Sequence, residues 1–394
     1  MATIFFVSLS ICVYTYLGYG LVIWLLVKVK EYWTRSKAST SMVDEKDWPG
    51  VTLLIAAYNE ADILPDKLKN CFELDYPEDQ LQVLFITDGS NDRSAEILAN
   101  EQQILYLHEP VRRGKIAAVK RAMKYVDTDY VVFTDANTFL NPKSVKRLIR
   151  HFEEACIGAV AGEKRVRQEG EKAASGAGVG LYWKYESLLK NLDARFYSVV
   201  GAAGELYAIR TSLFQPVPAD AILDDFEQTL KIAQAGSRVA YEPNAYAEEE
   251  PSANLQEELK RKVRICAGGF QAMSRLLPLL NIFQYGRLSF QYISHRVLRW
   301  TLAPLALPLA FVSNLYLAYF TDSILFKIML LLQFGFYLQA LLGYRMQDRK
   351  ISIPGFFVPL YFCIMNYAVY AGFFRYIRKK QSVNWEKAKR ASQA

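Results

Sequence analysis

VTLLIAAYNE, residues 51–60, is an unbroken apolar run that ends on a tyrosine, an asparagine and a glutamate. LQVLFITDGS at 81–90 and YVVFTDANTF at 130–139 repeat the arrangement, with Asp88 in one and Asp135 with Asn137 in the other following the apolar residues. Short apolar runs bounded by turn formers suit strands buried on both faces. By that test residues 51–57, 82–87, 104–108 and 130–134 are the best strands. The amphipathic stretches between them predict a mainly parallel sheet covered by helices. Ligands bind such sheets beyond the carboxyl ends of the strands. Tyr58, Asn59, Glu60, Asp88, Asp135 and Asn137 are therefore expected to share one edge. No G-x-G-x-x-G follows the first strand and no Walker phosphate loop occurs, which argues against hydride transfer and ATP hydrolysis.

Outside this segment the chain is written for a membrane. Its 394 residues are 52% hydrophobic and 14% aromatic, rich for a wholly soluble protein. Residues 4–27 carry no charge and are long enough to cross a hydrocarbon core of ~30 Å. A cleaved signal peptide is the alternative. The run's length, the lack of a basic start or small-residue cleavage site, and Tyr14, Tyr16, Tyr19 and Trp24 favour a retained anchor. Residues 297–320, 324–342 and 354–374 are also long enough to span; a buried soluble core is the alternative for them, weakened by the Arg and Lys at their edges. A shorter apolar stretch, 270–287, is interrupted by Arg275, Pro278 and Asn281 and reads as a helix in the membrane interface.

The expected organisation is an anchor at 1–30, an α/β domain at 48–267, an interfacial amphipathic segment at 268–290, a C-terminal membrane region at 297–374 and a basic tail at 375–394. Lys28 and Lys30 place the domain in the cytoplasm, and Arg375, Arg378, Lys379 and Lys380 place the tail there too. Three full C-terminal spans would put the tail outside. One run is accordingly expected to be re-entrant or interfacial, with Pro354 and Pro359 marking the last as the weakest helix. The net charge of +7 gathers beside the apolar runs, which points to membrane lipids and not to nucleic acid. Cys12, Cys71, Cys156, Cys266 and Cys363 have no metal or paired spacing and are expected to be free thiols.

Seven motifs follow in order: AAYNE at 56–60, TDGSNDRS at 87–94, RRGK at 112–115, FTDAN at 133–137, GAAGELYAIR at 201–210, DDF at 224–226 and RKVR at 261–264. The series resembles the family 2 glycosyltransferases, in the membrane-integrated, cellulose synthase-like branch that includes cellulose, chitin and hyaluronan synthases. The resemblance implies an α/β GT-A (Rossmann-like) catalytic domain with N- and C-terminal transmembrane helices. It also implies an inverting displacement of a nucleotide diphosphate, UDP by family habit, with Mg2+ or Mn2+. Carried over position by position, Ala57, Tyr58, Glu60 and Asp88 meet the nucleoside of the donor, and Lys115, Asp135, Arg261 and Arg264 meet its remainder. Asp135 and Asn137 hold the metal, Gly204 and Glu205 shape the acceptor site, and Asp225, beside Asp224, is the catalytic base.

Each motif also has an ordinary reading. Asp88, Ser90, Asn91 and Asp92 suit a turn and a helix cap. Arg112, Arg113 and Lys115 suit a solvated basic turn, although cations are disfavoured at a helix start unless an anion binds there. Asn137 suits a cap, and Asp224 and Asp225 suit the first turn of a helix. Two departures from the family pattern matter. The second position of the D-x-D pair is the neutral Asn137, still an oxygen ligand for a hard cation. Where processive synthases have Q-x-x-R-W, this chain has Arg261, Arg264 and Ile265, so no indole stands there to stack on an acceptor sugar. A short or lipid-linked product is expected unless Tyr182, Trp183 or Tyr185 supplies the aromatic face.

The implied function is transfer of a sugar from a nucleotide-sugar donor to a glycan or lipid-linked acceptor, in extracellular polysaccharide or glycolipid synthesis at the cell inner membrane. A nucleotide-sugar-binding regulator or transporter without catalysis is the rival. A transporter concentrates its length in spans and repeats, and a regulator has no need of Asp135 and Asp225.

Overall fold

β1 (Val51–Ala57) is buried along its whole length. Its alternate residues feed two cores: Leu53 and Ile55 join one, and Leu54 and Ala56 join the other on the opposite face of the sheet. That two-sided burial explains the uninterrupted apolar run. The computed structural model describes residues 1–34, 48–167, 176–347 and 354–381. The sheet also contains β2 (Leu81–Asp88), β3 (Leu105–Glu109), β4 (Tyr130–Asp135), β5 (Phe139–Leu140), β6 (Ile157–Val166), β7 (Leu206–Arg210) and β8 (Arg238–Glu249). Their spatial order is β3-β2-β1-β4-β7-β6-β8-β5.

The four strands expected from sequence form one parallel half, β3-β2-β1-β4, with ends within a residue or so of expectation. The sheet as a whole is mixed, which corrects the expectation of a mainly parallel one. β7 runs antiparallel to both β4 and β6, and β5 runs antiparallel to β8. β6 and β8 escape an apolar-run test because Glu163, Lys164, Glu248 and Glu249 stand at their ends. Register brings the functional edge together: Ala56 pairs with Asp135, and Ala57 pairs with Thr87.

Among the described residues, four helices are long and apolar enough to cross a membrane: Ala2–Thr34, Leu302–Phe320, Ile324–Met346 and Gly355–Ile377. The first is continuous, with a π-helical turn at Tyr14–Gly18. The last, expected to be the weakest, is unbroken from Pro354 to Ile377 with Pro359 inside it. None of the three C-terminal helices is broken midway in the manner of a re-entrant segment. The run expected to begin at Val297 begins at Leu302, because Thr301 leaves helical geometry at φ −120° and ψ −83°. Residues 297–300 continue the preceding helix, and Val297 and Trp300 pack on the core of the α/β domain. The basic tail beyond residue 381 lies outside the described residues.

The expected boundary at 267 falls inside one helix, Leu255–Arg275, started by Asn254, whose side chain accepts from the Glu257 N–H at 3.0 Å. The amphipathic pattern that suggested an interfacial segment therefore divides. Ala272, Leu276 and Leu279 enter the domain core, while Leu277, Leu280, Ile282 and Phe283 face outward. This helix is clamped on both sides by close approaches. A side chain on Gly268 would stand 2.7 Å from Leu223, and one on Gly372 of the last span would stand 2.6 Å from Cys266. The turn before Asp224, this helix and the last span thus pack in direct contact. At the N-terminal end, Lys30 Nζ donates to the Arg195 and Phe196 carbonyls at 2.7 and 2.8 Å, capping the Gly176–Phe196 helix.

Candidate active site

Polar residues after β2 divide into two groups with different work. Ser90, Asn91, Asp92 and Ser94 tie down the turn after β1. Asn59, at φ +54°, donates from Nδ2 to Asn91 Oδ1 at 2.7 Å and accepts from the Asn91 N–H at 2.9 Å. Ser94 Oγ accepts from the Glu60 N–H at 2.9 Å, and Asp92 Oδ2 from the Ala61 N–H at 3.0 Å. The turn and cap reading thus describes these residues.

Asp88 does something else. Its Oδ2 accepts from the Arg113 and Gly114 N–H groups at 2.8 and 2.5 Å, and its Oδ1 from Arg121 at 3.1 Å. The carboxylate therefore anchors the RRGK loop over the end of β2. Gly89 makes this possible: its φ is +68°, and a side chain there would meet the Arg112 backbone at 2.6 Å. The loop lays the Arg112 guanidinium 3.7 Å from the centre of the Tyr58 ring. Ala57, Tyr58, Asp88, Arg112 and Lys115 line one small cleft at this edge. Glu60 is buried beside it, at 4% exposure. A wider groove between the Leu64–Phe72 and Ser94–Ala99 helices, lined by Pro65, Phe72 and Ile97, carries no comparable chemistry.

Lys115 opens the Lys115–Ala122 helix and donates from Nζ to Asp135 Oδ1 at 2.7 Å. Burial alone would lower the pKa of this ammonium; Asp135, then Asp224 and Asp225, outweigh burial and hold it above its usual value. Asp224 and Asp225 begin the Asp224–Gln234 helix. A methyl group on Gly204 would lie 3.3 Å from Asp225 Oδ2 and 3.6 Å from Lys115 Nζ. Four motifs far apart in sequence thus meet at one bare stretch of backbone. Burial, then the neighbouring Asp224, raises the Asp225 carboxyl to about 7, with Lys115 opposing.

Glu205 belongs to a second array. It bonds Lys164 on β6, which also bonds Glu249 on β8. Arg261 reaches Glu249 at 3.6 Å and Glu258 at 3.1 Å. Burial would raise the Glu205 carboxyl; Lys164 and then Arg261 overcome it and hold the group at about 2. Arg261 and the half-buried Arg264 are not among the residues lining the small cleft. Asn137 is buried at the end of β4, at 8% exposure. Lys164, Glu249 and Arg121 went unnoticed in the sequence. The rule that polar residues ending apolar strands mark the site, applied to GAVAGEK at 158–164, would have found Lys164.

Residues 52–215 match the sequence model of glycosyl transferase family 2. The segment is a family 2 glycosyltransferase domain. A stretch of 269 residues is 27% identical to the poly-beta-1,6-N-acetyl-D-glucosamine synthase of Staphylococcus aureus, covering 64% of this chain and 63% of that one. The Staphylococcus epidermidis enzyme of the same name is 25% identical over 267 residues, with the same coverage. The alignment thus spans less than two thirds of these relatives. A mannosyltransferase from Pyrobaculum calidifontis, solved in complex with GDP-Man and Mn2+, superposes with a TM-score of 0.67 over 96% of this chain and 99% of its own, at 21% identity. The likeness establishes that the glycosyltransferase domain has the GT-A fold.

Proposed function

We propose that the chain is an inverting membrane hexosyltransferase. It takes a sugar from a nucleotide-sugar donor bound at the edge of β1, β2 and β4 and gives it to a glycan or lipid-linked acceptor in extracellular polysaccharide or glycolipid synthesis. The observation that carries this reading is the pair of groups flanking Gly204, a carboxylate on one side and a half-buried ammonium on the other. Inverting transfer needs those two partners, a base for the acceptor hydroxyl and positive charge for the departing diphosphate. Asp225 removes the proton as the acceptor oxygen attacks the anomeric carbon. The bond from that carbon to the diphosphate breaks, and Lys115 faces the negative charge that develops. Tyr58 and Arg112 bracket the nucleoside, Asp88 keeps their loop in place, and Arg264 approaches the diphosphate from its own helix. The staphylococcal relatives are named for a polymer of N-acetyl-D-glucosamine, whereas the Pyrobaculum neighbour was solved with GDP-Man; the base is left to the assay.

A divalent cation suits the donor set. Among the described residues no cluster of three or more His, Cys, Asp or Glu side chains could hold a metal alone. Asp135 and Asn137 offer one carboxylate and one amide oxygen, the sparse protein contribution with which Mg2+ or Mn2+ is held when phosphates and water complete the shell. When bound, the ion neutralises charge on the leaving diphosphate. Lys28 and Lys30 beside the first apolar helix support a cytoplasmic domain, and the exposed Leu277, Leu280, Ile282 and Phe283 support contact with the membrane interface.

The test is incubation of purified protein with UDP-GlcNAc, UDP-Glc, GDP-Man and Mn2+, following both released nucleotide and labelled product. Donor-dependent release of nucleotide with sugar appearing on an acceptor supports the reading. Donor binding without turnover of any of the three favours a regulator.

A further inference from the structure

The Q-x-x-R-W departure leaves an acceptor sugar without its usual indole, and the structure offers one elsewhere. The Gly176–Phe196 helix brings Tyr182 and Trp183 over Lys262, whose Nζ lies 5.2 and 4.9 Å from the two ring centres. Tyr361 of the last membrane helix meets Tyr182 at 5.6 Å between ring centres. The cluster is joined to the reaction centre by a short relay. Lys164 Nζ lies 5.8 Å from the Trp183 ring and bonds Glu205, the residue after Gly204.

Two polar tips in this cluster are buried without a hydrogen-bond partner among the described residues: Trp183 Nε1 and the Tyr361 hydroxyl. Tyr361 as a whole is only 6% exposed. Buried polar groups are ordinarily bonded, and exceptions call for an explanation such as a missing ligand. If the three rings served only to pack the domain against the last span, phenylalanine faces would do so without stranding an N–H and an O–H. Aromatic faces beside unspent donors, with the charged pair Lys164 and Glu205 at one end, suit a pyranose ring, which presents an apolar face and a rim of hydroxyls.

Resting on the function proposed above, we infer that Tyr182, Trp183 and Tyr361 form the subsite for the acceptor's sugar, at the junction of catalytic domain and last span. A nascent glycan and a lipid-linked sugar present the same ring chemistry there. Tyr361→Phe keeps its ring and removes only the hydroxyl, and Trp183→Phe keeps an aromatic face but trades the indole and its N–H for a smaller phenyl ring. The assay uses membranes containing the full chain and its endogenous acceptor. With the labelled nucleotide sugar that the wild type cleaves, it measures the ratio of sugar transferred to product over sugar released free by hydrolysis.

The double variant is expected to lower that ratio about tenfold, the equivalent of losing one or two buried hydrogen bonds, with the donor KM unmoved. Loss of label from solvent-extractable lipid identifies a lipid-linked acceptor, and loss from water-soluble glycan identifies a nascent chain; either supports the subsite. An unchanged ratio, or transfer and hydrolysis falling by the same factor, overturns it. Wild-type membranes that cleave none of UDP-GlcNAc, UDP-Glc and GDP-Man above control overturn the proposed function itself, a result separable from failure of the subsite alone.

Discussion

Asp225→Asn tests the chemistry most directly, because it changes one proton-accepting atom and almost no volume. A positioned general base contributes about 10² to 10⁴ in rate, so kcat should fall by that factor while the donor KM holds. The pH profile adds a second readout. With its carboxyl raised to about 7 by burial and Asp224, Asp225 is about one-tenth ionised at pH 6. For the wild type, log kcat/KM should rise with pH and level off above that point. The variant should lose this inflection. The stability sign runs opposite to activity. A carboxyl with a folded pKa above its unfolded value of 3.8 favours the folded state fully below that value, and the advantage is lost as pH rises through about 7. Asp225→Asn should accordingly raise Tm at pH 8 relative to wild type and change it little at pH 4. Thermal scans at both pH values and initial rates from pH 5.5 to 9 check these outcomes. Retention of more than a tenth of wild-type kcat, or an inflection near 7 that survives in the variant, would refute the assignment; a dead Asp224→Asn beside an active Asp225→Asn would move the role by one residue.

Chelation should stop transfer, and Asp135→Ala should do the same in a folded protein; full activity of that variant in excess chelator would remove the metal from the mechanism. Asp88→Ala deletes the acceptor for two loop N–H groups and Arg121, each charge-assisted bond being worth about 1.5–3 kcal/mol. Its donor KM should rise at least tenfold or so, and an unchanged donor KM would show that the RRGK loop needs no anchor. Cys156 is exposed on the catalytic domain. It should resist a membrane-impermeant maleimide in intact cells and react after permeabilisation, whereas labelling of intact cells would put the domain on the other side of the membrane.

Much of the molecule follows from local pattern alone. The strands leading to Tyr58, Asp88 and Asp135 are legible because a strand buried on both faces is apolar but for an occasional threonine, so the end of the run marks the edge where ligands bind. The membrane helices are legible for a similar reason, since charge is costly inside a span and leaves long runs with almost none. What required the folded chain is everything that depends on distant segments meeting. β6 and β8 read poorly because their charged ends are paid for by partners on other strands, Lys164 by Glu205 and Glu249. The sheet is mixed because β7 returns from a long helix in the reverse direction, a matter of path and not of composition. TDGSNDRS divides its work between two loops, since only geometry shows Asp88 turned toward Arg113 and Gly114 while Asp92 and Ser94 turn toward Glu60 and Ala61. The same limit applies to the aromatic face. Local sequence reports Ile265 where an indole is usual, and only tertiary packing brings Trp183 and Tyr361, 178 positions apart by number, to one junction, because contact between a domain helix and a membrane helix leaves no period or motif in either.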